Sequence, residues 1–369
     1  MSRKMYIDVN VIQSLPPSCV NRDDTGSPKT AYYGGVRRAR VSSQSWKKAV
    51  RDSFRENFDG SDVAYRTMKI VSLVSSRITE LDSSISEEDS LAKAKDVIEK
   101  AGITVATKTK KKSKGEADVG SDIPEAKALF FISSFQIDNL ARLALGGEFS
   151  KKEAQEAINN GHGAEISLFG RMVADDPSLN VDAACQVAHA ISTHRVDNEY
   201  DYYTAVDDRA PEDNAGAGMI GTIEFNSSTM YRYATIAVDS LQRNLGDKDT
   251  TVKVAKEFIH GFVMSMPTGK QNTFANHTMP YAVYIAVRGD RPVNLVEAFE
   301  SPILPDRESG GYNEPSVKRM AKYESEIEGD FVSTPIAAWV IGQCPESMGT
   351  KASLSAALDG IEEMLAKEL

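Results

Sequence analysis

The residues of this chain whose types and spacing could do chemistry fall into two groups, paired carboxylates and a block of cations. Asp23-Asp24 and Asp207-Asp208 stand among turn formers, and loop carboxylates of that kind can hold a divalent cation for phosphodiester hydrolysis. Adjacent aspartates in turns also serve simply to bond the local backbone, and Arg22 directly before Asp23 favours a salt-bridged turn. His189 and His194 are five apart, off the i, i+4 spacing of a zinc pair and without a nearby thiolate, so they read as packing or capping residues. His162, His260 and His277 are scattered, and no phosphate-binding glycine loop, zinc-protease motif or nucleophile elbow occurs. No metal and no cofactor is expected.

The cations are more informative. Arg22, Lys29, Arg37, Arg38, Arg40, Lys47, Lys48 and Arg51 are interleaved with Asn21, Ser42, Ser43, Gln44 and Ser45. Side chains of these types donate to phosphate oxygens and ribose hydroxyls without reading base identity. Gly34-Gly35 would let a backbone approach such a ligand closely. The overall formal charge of -10 argues against nucleic acid only as an average. Residues 1–51 carry ten Lys and Arg against three Asp and Glu, +7, which leaves −17 on the other 318 residues. Such a bipolar chain can hold an anionic ligand at one face and meet the basic patch of the next copy with its acidic remainder, a head-to-tail contact that extends instead of closing.

The elements that must position these residues follow from periodicity. Met5 to Ser14 alternates as a half-buried strand, which Pro16 and Pro17 are expected to end, followed by a long polar loop. A strand over Arg37 to Ser42 then reaches Ser43, the expected cap of a helix with Trp46, Val50 and Phe54 on one stripe and Lys47, Lys48 and Arg51 beside it. Residues 59–180 read as a helical insertion carrying the lysine run Lys108–Lys114, to which no function is assigned. A helix over 181–194, an extended hairpin over 195–228, and a strand, helix and strand between Met230 and Arg288 follow, with a helix at the C-terminus. The sum is an α+β chain, most simply a βαββαβ arrangement with insertions. At 369 residues with 41% hydrophobic content it has material for two or three domains. Cys19, Cys185 and Cys344 are too widely spaced for a disulfide framework or metal clip, and no apolar run approaches ~18 residues, so a reducing cytoplasm is expected and a membrane is not.

The stretches NRDD at 21–24 and PKTAYYGGVRRARVSSQSWKKAVR at 28–51 resemble the signature of the CasC family, the backbone subunit of the type I-E CRISPR surveillance complex Cascade. The similarity continues through FGRM at 169–172, AHAISTHRVD at 188–197, YYTAVDD at 202–208, EFNSSTMYRYATI at 224–236 and, as a weaker trace, GKQNTFANHT at 269–278. The resemblance implies a right-hand shape: an RRM-like (ferredoxin-like) palm from 1–59, a palm helix at 181–194 and 229–369, helical fingers at 60–180, and a thumb hairpin at 195–228.

It further implies a non-catalytic subunit that polymerises along one CRISPR RNA with other Cascade subunits and leaves the guide bases to pair with target DNA. By the same resemblance Arg22, Lys29, Ser42, Gln44, Lys47, Lys48 and Arg51 would line the RNA groove, while Met172 from the palm edge and Tyr203, Thr204 and Val206 from the thumb would wedge between bases. No RRM aromatic signature occurs, so stacking of bases on an open sheet is not expected. The alternative function is a metal-dependent ribonuclease subunit of a CRISPR effector using Asp23, Asp24 or Asp207.

Overall fold

In the computed structural model, which describes residues 4–57, 63–107, 123–173, 176–205, 219–308 and 310–369, the alternating N-terminal segment forms the middle of a large sheet. Strand β1 (Tyr6–Ser18) leads to the hairpin of β2 (Thr30–Tyr33) and β3 (Val36–Val41), then to helix α1 (Ser43–Asn57). After β4 (Ala64–Thr67) come α2 (Ile70–Leu81), α3 (Glu87–Lys100) and the short strands β5 (Val105–Ala106) and β6 (Glu125–Ala126). Next are β7 (Phe130–Ser133), α4 (Ser134–Leu145), α5 (Lys151–Asn159) and α6 (Gly163–Phe169). The chain continues through β8 (Cys185–Val187), β9 (Ala190–Ser192), β10 (Glu199–Ala205) and the long β11 (Met219–Ala237) into α7 (Val238–Leu245) and α8 (Lys248–Met264). It ends with α9 (Gln271–Phe274), β12 (Ala282–Arg288), α10 (Asn313–Ile327), β13 (Ala337–Gly342), β14 (Thr350–Lys351) and α11 (Leu354–Glu368).

Two units emerge: Met1–Ser53, Gln186–Asp239 and Ala255–Leu369 form one, Phe54–Cys185 and Ser240–Val254 the other. In the first, the sheet runs β14-β13-β12-β1-β11-β9-β3-β2, with β8 and β10 also paired to β11. β1 is antiparallel to β11 from Tyr6 to Leu15 and to β12 from Tyr6 to Ile12. Because side chains alternate across a strand, Ile7, Val9, Val11 and Gln13 share one face and Asp8, Asn10 and Ile12 the other, and all are buried. The first face lies under Trp46 of α1 and Phe262 of α8, whose rings meet edge-on at 6.5 Å. On the second, Tyr231, Tyr233 and Tyr284 are buried with Phe299, Val317 and Met320 beneath α10 and the 295–303 segment.

The second unit is built on helices. Ile70, Val74 and Ile78 of α2, Ala94, Val97 and Ile98 of α3, and Ile137, Leu140 and Ala141 of α4 recur at helical spacing and close one core. Ser133 with Gln136, and Ser150 with Glu153, form reciprocal capping boxes that start α4 and α5. The lysine run Lys108–Lys114 lies outside the described residues.

Four local expectations are corrected. The segment 181–194 is not a helix but contributes β8 and β9, the latter joining β11 to β3; its alanines favour helix, yet pairing at both sides outweighs that weak preference. β1 does not end at Pro16 but reaches Ser18 through a register shift after Leu15, where β12 no longer pairs and a missing N–H costs nothing. The cap of α1 is Ser42, whose Oγ accepts from the Ser45 N–H at 3.3 Å, one residue before the expected position. Gly34 and Gly35, with φ of 58° and 75°, form the β2–β3 turn, and a Cβ at Gly34 would stand 1.6 Å from the Glu300 carbonyl oxygen, so the close approach is to this chain's own backbone.

Beneath α10 the polar residues of β1 are engaged. Asp8 accepts from the Tyr233 hydroxyl at 2.8 Å and the Val293 N–H at 2.8 Å, while Arg288 lies 3.4 Å from it and 3.5 Å from Glu324. Burial outweighs the attraction of Arg288 and pushes the Asp8 carboxyl up to about 6 from 3.8. A carboxyl raised in the fold contributes stability that is complete below its unfolded pKa and is lost as pH rises through the folded one. Asp8→Asn removes this dependence, so its stability relative to the parent should improve by about 2 kcal/mol between about pH 4.5 and about pH 7.5 in denaturant unfolding; a constant difference would contradict the raised carboxyl.

Candidate nucleic-acid interface

Helix α1 presents two sides because its apolar residues recur every fourth position. Trp46, Val50 and Phe54 are buried as expected, which turns Gln44, Lys47, Lys48 and Arg51 into a stripe on the other side. Gln44 and Lys48 are exposed, and Lys47 and Arg51 are half-buried. Lys48, 70% exposed, is paired with Asp52 one turn later at 2.5 Å.

The helix forms one wall of an open groove of about 590 Å³. Ser45, Lys48 and Asp52 line it from α1, Asn21, Arg22, Asp23 and Asp24 from the preceding loop, and Met266 to Gly269 from the segment after α8. The last wall was not singled out from the sequence, although the weak trace begins at Gly269; a Cβ there would lie 2.2 Å from the Val20 carbonyl oxygen, so only glycine lets the walls meet. Lys270 and Ala275, at the two ends of α9, both adopt left-handed backbone with φ of 49° and 46°. Three carboxylates share the groove with Arg22 and Lys48, so it is mixed in charge, which the count of cations alone did not reveal.

The remaining basic residues divide. Arg37 is exposed, whereas Arg38 is fully buried and donates to the carbonyls of Tyr33, Ser192, Phe299 and Glu300 at 2.8–3.1 Å. Arg40 donates to the Thr30 carbonyl at 3.1 Å and meets His189 at 3.3 Å, and with half-buried Lys29 it holds the His189 imidazole below its usual pKa, a shift led by burial. Ser42 is buried; its amide donates to Asn21 Oδ1 at 2.9 Å, and its hydroxyl caps α1. Among the expected contacts, then, Arg22 and Lys48 share the groove, Gln44, Lys47 and Arg51 continue the α1 stripe, Lys29 lies toward His189, and Ser42 acts from beneath as a support.

Of the carboxylate pairs, Asp23 is engaged with its own loop. Asp23 accepts from the Thr25 hydroxyl at 2.7 Å and from the amides of Thr25 and Ser27 at 2.9 and 3.0 Å, closing the loop on itself. The Thr25 hydroxyl foremost holds its carboxyl below the usual range. The bond that organises the turn comes from Thr25 and not from Arg22. Among the described residues no three His, Cys, Asp or Glu side chains cluster as a metal site, and Asp207 and Asp208 lie outside those residues. His194 packs against Tyr312 with ring centroids 3.7 Å apart, accepts at Nε2 from the Thr229 amide, and donates from Nδ1 to the Arg195 carbonyl.

Of the expected base-wedging residues, Val206 also lies outside the described residues. In the hairpin of β10 with β11, Tyr203 opposes Gly221 and Thr204 opposes Ile220, so the two side chains stand on opposite faces. The Tyr203 ring lies over Gly221, where a Cβ would stand 2.4 Å from its hydroxyl. Tyr200, Tyr202 and Ile220 are exposed. In the second unit, the FGRM segment makes a sharp turn at Gly170, φ 74°, and buries Arg171 against Phe130 with bonds to Leu179, Gln136 and Asn159. Anchored on both sides, the turn presents Met172 at 88% exposure beside Leu129, at the mouth of a pocket of about 170 Å³.

No curated protein matches the chain. The family of CT1975-like proteins matches it over residues 7–367. Among solved structures, a chain of a "CRISPR RNA-guided surveillance complex, pre-nicking" is 32% identical, with a TM-score of 0.82 and coverage of 99% of this chain and 100% of that one. A chain of a second "CRISPR RNA-guided surveillance complex" is 28% identical, with a TM-score of 0.72 and coverage of 98% and 99%. With the match spanning nearly the whole sequence, the chain belongs to the CT1975-like protein family, the CasC-type family that its N-terminal signature resembles.

Proposed function

We propose that the chain is the RNA-binding backbone subunit of a Cascade-type surveillance complex. In this reading it binds no cofactor, performs no catalysis, and works in the cytoplasm in antiviral defence. The observation that carries it is the end-to-end similarity to chains of CRISPR RNA-guided surveillance complexes, at 32% identity and a TM-score of 0.82 for the first. Several copies pack head to tail along one CRISPR RNA beside other subunits, and the guide bases pair with target DNA. The strand order β12-β1-β11-β9, with α1 after β1 and α8 between β11 and β12, supports an RRM-like palm. The helical core of the second unit supports the fingers, and the β10–β11 hairpin the thumb.

Tyr231, Tyr233 and Tyr284, at the centre of the palm sheet, are buried, so the guide is held by its phosphates along Gln44, Lys47, Lys48 and Arg51 of α1, with Arg22 and Lys29 from the preceding loop. Met172 and the thumb residues Tyr203, Thr204 and Val206 wedge between bases. An inserted side chain costs a few kcal/mol of stacking per step, which contacts to the displaced base offset. The occupation of Asp23 by Thr25 and Ser27 favours this reading over a metal-dependent ribonuclease.

Purification of the chain with a uniform RNA and a set of partner subunits is the primary test; Mg²⁺-dependent RNA cleavage abolished by Asp23→Ala or Asp207→Ala would transfer the case to the ribonuclease. Lys48→Ala should weaken RNA binding on every sequence alike and reduce the slope of log K against log salt by ~0.7. Asp52→Asn, which releases Lys48 from its pair, should tighten binding by up to about fivefold at low salt, since an exposed pair is worth about 1 kcal/mol at most. Met172→Ala should leave melting nearly unchanged, because the side chain is exposed, while chemical probing finds the periodically displaced guide bases less reactive. Unaltered reactivity would remove Met172 from the wedge.

A further inference from the structure

We infer that Arg232, which lies beneath the groove and touches none of its surface, is a positioning residue that holds two of the groove's walls at their working separation. The inference rests on the RNA-binding reading for its consequence, but its geometry stands alone. Arg232 is 1% exposed on β11, on the face of the sheet that α1 and α8 cover. Its guanidinium stacks on the Trp46 ring of α1 at 3.7 Å and on Phe262 of α8 at 4.7 Å. One terminal nitrogen donates to the Phe262 carbonyl and the other to Gln13 Oε1. Gln13 in turn donates to the Thr278 carbonyl at 2.7 Å, and the Thr278 hydroxyl donates to the Ser14 carbonyl at 2.6 Å. One planar group thus joins the underside of α1, the last turn of α8 that leads into Met266 to Gly269, and the segment after α9.

The chemistry of the site explains why it is an arginine. No carboxylate pairs with Arg232 among the described residues, and burial brings its pKa down to about 9, so it stays charged at neutral pH. An apolar side chain would fill the same space without the cost of burying a charge. What the guanidinium adds is three fixed directions, a flat face for the indole and two diverging donors, which neither a lysine nor a hydrophobe can reproduce. The Phe262 carbonyl lies in the last turn of α8, where backbone carbonyls lack helical partners and the helix dipole favours a cation. The separation of the walls is therefore held from inside the core.

The test compares Arg232→Gln and Arg232→Lys with the parent and with Lys48→Ala, all in the full chain. In the RNA-free protein, amide exchange within residues 43–49 and 265–270 should quicken at least tenfold in both Arg232 variants while the strands of the sheet stay protected. RNA affinity should fall about tenfold in both, with the salt slope unchanged, because no phosphate contact is lost; Lys48→Ala instead lowers the slope. Full recovery of affinity in Arg232→Lys would show that charge alone matters and overturn the proposal, as would parental exchange and affinity in a folded Arg232→Gln. Should both Arg232 variants fail to fold, Gln13→Glu, which keeps an acceptor for Arg232 but loses the amide donation to the Thr278 carbonyl, must quicken exchange at 265–270, and unchanged exchange would refute the coupling. If the parent binds no RNA yet the two walls exchange faster in the variants, the positioning role holds and the RNA reading falls.

Discussion

The pairing of β1 with β11 on one side and β12 on the other is the constraint on which the rest depends. It makes the N-terminal strand a central one, so every side chain from Ile7 to Gln13 must be accommodated on one of two buried faces. One face takes α1 and the end of α8, and the other takes α10 and the 295–303 segment. With both faces occupied, a ligand must be met by what the helices turn outward and by loops at the sheet's margin, and the polar positions of β1 become internal fasteners. Asp8 fixes Val293, and Gln13 fixes Arg232 and Thr278.

Four arginines illustrate how composition can mislead. Arg38, Arg171, Arg232 and Arg288 are all buried, and three of them find mostly backbone carbonyls or amide side chains as partners. Such carbonyls occur where strands and helices end, and a guanidinium can serve several at once. The positive balance of the N-terminal segment is therefore partly structural, and its outward charge falls mainly to Arg22, Lys29, Arg37, Lys47, Lys48 and Arg51.

What was legible in the sequence was what local periodicity determines. The stripe of Trp46, Val50 and Phe54 located α1 and, by subtraction, its polar side; alternation located β1 and the second half of β11. What was not legible depended on partners far along the chain. Nothing local distinguishes 181–194 from a helix, because its strands exist only where β11 and β3 receive them. Nothing local tells buried Arg38 from exposed Arg37, since the carbonyls of Phe299 and Glu300 make the difference. The groove wall at Met266 to Gly269 has the same origin: its only local mark is Gly269, whose need for space comes from Val20. The resemblance supplied the family, and geometry divided its signature between outward-facing and buried residues, placing Ser42 among the buried.

The bonds of Arg38 have a bearing on how the chain is made. The residue is translated well ahead of its partners at Phe299 and Glu300, which lie 261 and 262 positions later. β1 likewise waits more than 200 residues for β11. Contacts of such long range form late and slowly, because the loop entropy is lost before the contact compensates. During synthesis the basic segment thus stays a solvated cationic polypeptide, with Arg38 still in water, while the acidic bulk of the chain is being added. A segment made early is thus finished late, and Arg38 is locked only when the C-terminal third has arrived.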